Sequence, residues 1–94
     1  LDYIISETTA QKLLEKHHVF EDEVIECFQT RSKKPLIDNR EEHRTHPPTE
    51  WFIAETYAGR RLKVVYIQLS STKCVIRTTY PPSDLEEEMY EQNT

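Results

Sequence analysis

The sequence predicts an α+β domain: two helices, then a mainly antiparallel four-stranded sheet, then a closing helix. Three observations predict it. Apolar residues recur at helical spacing through the first thirty positions. β-rich runs separated by tight-turn residues fill positions 51 to 79. A helix-start signature follows the Pro-Pro pair near the end.

The first helix is expected over 8–17, where Ala10, Leu13, Leu14 and His17 form one stripe and Thr8 with Gln11 matches a capping box. The second covers about 20–29. Glu21, Asp22 and Glu23 occupy its first turn, where the helix dipole favours negative charge, and Phe20, Val24, Cys27 and Phe28 make its apolar side. "TRSKKP" breaks that pattern, and "PLIDN" is a short strand candidate. Longer strands are expected over 51–57, 61–69 and 73–79. "AGR", with the single glycine, and "SST" read as the hairpin turns of a meander. The last helix starts at Ser83, which makes a capping box with Glu86, and Leu85 and Met89 are its expected inward contacts.

Length and composition bound the rest. Ninety-four residues suit one small domain without repeats or linkers. No apolar run approaches the ~18 residues of a membrane span, and no signal-peptide pattern opens the chain. Cys27 and Cys74 follow no metal or redox spacing, which suggests buried thiols in a reducing cytoplasm. The first residue is Leu, which leaves room for a segment before it. Formal charge is −5, the wrong sign for a nucleic-acid binder. The distribution offsets this. Most Lys and Arg lie between 31 and 77, whereas Asp84, Glu86, Glu87, Glu88 and Glu91 crowd the end. That acidic end reads as a solvated face, or as a surface that repels RNA and docks a basic partner.

The order and spacing of several segments resemble one family. "KHHVFEDEVIECF" resembles the "KHGVSFEEA..VF" opening of BrnT-type toxins, "DNREEH" their "D.RH" segment, and "GRRLKVVY" their "GR.L.VVY" hairpin. "TTYPPSDLEEEMYE" lies over "SARRATRRERR.YE", placing Thr78 at the Ser, Glu86 at the Glu and Tyr90 at the Tyr. The chain departs from the family at Tyr80, which stands where "SAR" has its arginine. The resemblance implies a RelE-like fold, cytoplasmic location, metal-independent RNA cleavage without a cofactor, and a cognate antitoxin as partner; it also admits a homodimer. A non-catalytic interaction module of the same fold is the alternative.

Cleavage of RNA by its own 2′-hydroxyl needs a base, an acid and cations around the phosphate. Arg40 and His43 match the family's "R.H" region, with His43 as base or acid and Arg40 as phosphate clamp; the plainer reading pairs Arg40 with Asp38 or Glu42 in a solvated turn. Arg77 lies on the last strand. Alternation with Cys74 and Ile76 places Arg77 and Thr79 on the opposite, less covered face. Tyr80 follows as an acid, a base-stacking ring, or a packing contact for the last helix. Arg60, Arg61 and Lys63 at the tight turn, beside Trp51, suit single-stranded RNA, although a charged hairpin tip is also ordinary. His17 reads as a structural residue at the helix–helix turn. The "HRTH" spacing fits no standard metal site, so none is expected.

Overall fold

Ser6 starts the first helix by accepting the Thr9 N–H on its hydroxyl at 3.1 Å. This occurs in a computed structural model that describes residues 1–38, 40 and 46–94. The cap supplies a partner for one orphan donor of α1 (Glu7–His17), two residues ahead of the Thr8–Gln11 box expected from the sequence. α1 ends at His18, which takes a left-handed conformation (φ 54°). The N–H groups of His18 and Val19 turn back onto the Leu14 and Leu13 carbonyls, closing the helix by the Schellman pattern. α2 (Glu21–Thr30) follows. Val24, Cys27 and Phe28 are buried, whereas Phe20 is the N-cap and stays exposed.

The strands are β1 (Asp2–Ile4), β2 (Leu36–Ile37), β3 (Thr49–Glu55), β4 (Arg61–Gln68) and β5 (Lys73–Tyr80), in the sheet order β1-β5-β4-β3-β2. Among the described residues the sheet is therefore five-stranded and mixed: β1 runs parallel to β5, and every other pair is antiparallel. β1 is three residues long, too short to show a period in sequence, and its partner lies some seventy residues away. The β3–β4 turn uses Gly59 at φ 87°, where a glycine pays no Cβ penalty.

Alternation puts Phe52, Ala54, Leu62, Val64, Tyr66, Cys74 and Ile76 against α1 and α2. Phe28 anchors this layer edge-on to Phe52 and Tyr66, with ring centroids 5.0 and 5.2 Å apart. The other face carries Trp51, Ile53, Lys63, Val65, Thr78 and Tyr80. α3 (Asp84–Asn93) partly covers it, with Tyr90 buried 5.7 Å from the Trp51 ring.

Two local events differ from the sequence expectation. Arg77 is an extra residue in β5: Ile76 faces Tyr66 and Thr78 faces Val65, so a β-bulge lies between them. The bulge resets alternation, and Thr79 returns to the helix-covered core at 0% exposure rather than sharing a face with Arg77. On α3, Glu86 and Tyr90 turn toward the sheet, while Leu85 and Met89 are 66% and 45% exposed. Among the described residues, no helix is long and apolar enough to cross a membrane.

Candidate functional site

β3, β4 and β5 bring Trp51, Lys63 and Tyr80 onto one sheet face because Lys63 is in register with both Ile53 and Tyr80. The Lys63 ammonium donates to Glu86 Oε2 at 2.6 Å and to the Tyr80 hydroxyl at 3.2 Å. It also lies 4.4 Å from the centre of the Trp51 ring, whose negative face favours a cation. The Tyr80 hydroxyl donates to the same Glu86 oxygen at 2.8 Å. Glu86 Oε1 accepts the Ser83 N–H, so the helix cap orients the carboxylate that receives both donors.

This arrangement sets the ionisation of the cluster. Burial alone would raise the Glu86 carboxyl. The hydrogen bonds from Lys63, the Ser83 N–H and Tyr80 outweigh burial and hold it at about 2. Burial, reinforced by the Glu86 carboxylate, pushes the Tyr80 phenol above its ordinary value, so it is a proton donor near neutrality. Lys63 and Glu86 line a cavity of about 670 Å³ with Trp51, Asp38, Arg40 and the apolar Leu36, Ile37, Leu85 and Met89, and Tyr80 adjoins that lining through its hydrogen bonds to both.

The other candidates disperse. Arg40 is at the same cavity, forked onto the Asp38 carboxylate at 2.9 and 3.1 Å. Arg77 lines a different cavity, between α1 and β5. Three strand spacings separate β2 from β5, roughly 14 Å at the usual inter-strand distance. One hollow does not gather both arginines. His43 lies outside the described residues. Trp51 is buried and Thr79 fully so, and neither presents a surface for a base to stack on. Arg60 donates to the His17 and His18 carbonyls at 2.7 Å each and pairs with Glu23, tying the hairpin to the end of α1. Arg61 forks onto Glu87 at 2.7 Å and reaches Glu55 at 3.4 Å. These two arginines hold elements together.

Sequence reasoning placed Glu86 in a capping box and at the family's glutamate but not among the site residues, because it reads as one more acid on a solvated helix. Lys12 and Lys16 were also passed over. They join Arg77 in the α1–β5 cavity, and their i, i+4 spacing was the clue. His17 is half-buried, with its ring 5.5 Å from that of Tyr80. Cys27 and Cys74 are free, buried thiols, and burial followed by the nearby Glu23 and Glu26 pushes Cys27 up to about 12. Among the described residues, no group of three or more His, Cys, Asp or Glu side chains could hold a metal ion.

Fold and site define a small α+β domain with a lysine–tyrosine–glutamate cluster under its last helix. No family model matches the chain, and a search of the curated proteins finds no match.

Proposed function

We propose that this protein is a metal-independent ribonuclease of the BrnT/RelE-like toxin kind, held silent by a cognate antitoxin, with the cavity beneath α3 as its reaction site. The convergence of Lys63, Tyr80 and Glu86 within hydrogen-bond distance of one another, beside Arg40, supports this reading. Phosphodiester cleavage asks for that set of groups.

In the reaction, the RNA phosphate takes over the Lys63 ammonium and competes with Asp38 for the Arg40 fork. Losing Lys63 raises the basicity of Glu86. Glu86 accepts the proton of the attacking 2′-hydroxyl as the new O–P bond forms. The P–O5′ bond breaks, and the leaving oxygen takes the Tyr80 proton. Glu86 returns its proton to Tyr80 along their hydrogen bond. The products are a 2′,3′-cyclic phosphate and a 5′-hydroxyl, and the protein ends in its starting protonation state. The exposed Leu85 and Met89 on an acidic helix suit a basic antitoxin segment with apolar anchors.

The test is cleavage of single-stranded RNA in a chelator, with end-group analysis, alongside growth of bacteria induced to express the protein. Wild type yields cyclic-phosphate ends and arrests growth. Tyr80→Phe and Lys63→Met each lower cleavage by about 100-fold or more. A folded wild type that leaves RNA intact and growth unchanged defeats the proposal. One observation favours the second reading, a non-catalytic interaction module: Arg40 and Lys63 already have carboxylate partners. On that reading a partner binds with no cleavage, and Tyr80→Phe changes nothing.

A further inference from the structure

Six of the twelve Lys and Arg side chains have a visible structural task. Arg40, Arg60, Arg61 and Lys63 form ion pairs. Arg31 lies over the Phe28 and Phe52 rings and Lys33 over Tyr90. Lys12, Lys16, Lys34, Lys73 and Arg77 have no such task among the described residues, and of these Lys12, Lys16 and Arg77 share one groove. All three are exposed, and among the described residues none forms an ion pair, a side-chain hydrogen bond or a ring contact. They converge on a groove of about 510 Å³ between α1 and β5. Ser6, Thr9, His17 and Thr78 complete its polar lining, and among the described residues no carboxylate lines it, although the molecule carries a net charge of −5.

Each cation is placed there by the fold. Lys12 and Lys16 are four residues apart on one helix and therefore lie on successive turns of the same side, roughly 6 Å apart. Arg77 is the bulged residue of β5, released from alternation and turned into the groove. We infer that this groove holds the phosphate backbone of an RNA strand. This deepens the ribonuclease reading and rests on it. The continuity of the surface selects RNA over an isolated phosphate. At the end of α1 the groove reaches His17, whose ring lies against Tyr80, and Tyr80 belongs to the cluster under α3. A strand lying along Lys12, Lys16 and Arg77 passes His17 and is delivered to the reacting groups.

An acidic peptide adding to the sheet is the competing occupant, since among the described residues β1 pairs only with Lys73 to Val75 and the rest of that edge has no strand. The bulge at Arg77 interrupts the regular ladder such a strand would need, which favours a flexible polyanion held by point charges.

The test is the affinity of a fluorescent single-stranded RNA, measured across a salt series in a Tyr80→Phe background so that cleavage does not intervene. Lys12→Gln/Lys16→Gln is expected to weaken binding by about 10-fold or more and to reduce the slope of log K against log salt by about 1.4, two phosphate contacts on a single strand. Arg77→Gln weakens it further. The charge-matched Lys33→Gln/Lys34→Gln protein stays within about 2-fold of its parent. Equal losses in the groove variant and the charge-matched control overturn the groove while leaving the RNA reading intact. No RNA binding by any of the proteins overturns both. Displacement of RNA by a poly-glutamate peptide at lower concentration than by unlabelled RNA assigns the groove to an acidic peptide and overturns the inference.

Discussion

Thr79 shows what a single irregular residue does to a small core. The bulge at Arg77 rotates it into the layer beneath α1 and α2, where its Oγ1 has no hydrogen-bond partner among the described residues. A buried hydroxyl left unpaired costs roughly 1–3 kcal/mol. Valine has the same shape without that group, so Thr79→Val is expected to stabilise the protein by about 1 kcal/mol. Urea unfolding checks this: the midpoint rises while the slope stays constant. A lowered midpoint means that the hydroxyl has a partner. The position was misread from sequence for a specific reason. Alternation counted from Cys74 and Ile76 is sound for as long as pairing is regular, and nothing in "IRTTY" announces an inserted residue. The same single slip moved Thr79 off the candidate RNA surface and left Arg77 on the groove side.

At the scale of elements, α3 is held to the sheet by the Glu86 carboxylate, which receives Lys63 and Tyr80 from two strands, by the Arg61–Glu87 fork and by Tyr90 on Trp51. The folded Glu86 titrates at about 2, below its ordinary 4.5. A group whose folded value is depressed contributes its stabilisation in full above the unfolded value and loses it as pH falls toward the folded one. The latch therefore acts above about pH 4.5 and fades between there and about pH 2. Glu86→Gln is expected to cost about 2–3 kcal/mol at neutral pH, because it leaves the nearly buried Lys63 ammonium without its counter-charge. Near pH 2 the variant and wild type converge. Denaturation at both pH values decides this, and an equal gap at both removes the latch. Such coupling explains which elements were legible. α1, α2 and the three long strands carry their own periodicity, so their extents fell within two residues of expectation. β1 has no signal of its own and is defined by β5. The facing of α3 is likewise set from outside: its local pattern points to Leu85 and Met89, but Lys63 and Trp51 select Glu86 and Tyr90.

Across the whole molecule, charge is segregated rather than excessive. Lys12, Lys16 and Arg77 line a groove without carboxylates among the described residues, whereas α3 puts Glu86 on the cavity beneath it and Glu87 and Glu91 on the next one. The candidate site was only partly legible for this reason. Lys63 and Tyr80 stood out as a basic group and a strand-end phenol, but the acid that joins them belongs to a helix whose charge reads as a solvated face. An RNA strand running from the groove to the cavity approaches α3, and exposed acids there oppose it over about one Debye length. Glu88 and Glu91 are exposed and form no ion pair among the described residues, so neutralising them removes repulsion without loosening the latch. Glu88→Gln/Glu91→Gln is expected to raise RNA affinity by about 3-fold at low ionic strength, and the gain should vanish near molar salt, where the Debye length is about 3 Å. Glu21→Gln/Asp22→Asn at the start of α2 changes net charge equally. It should give a smaller gain, because local field and not total charge governs the approach. Equal gains from the two pairs would show that RNA senses only the overall charge and does not pass along α3.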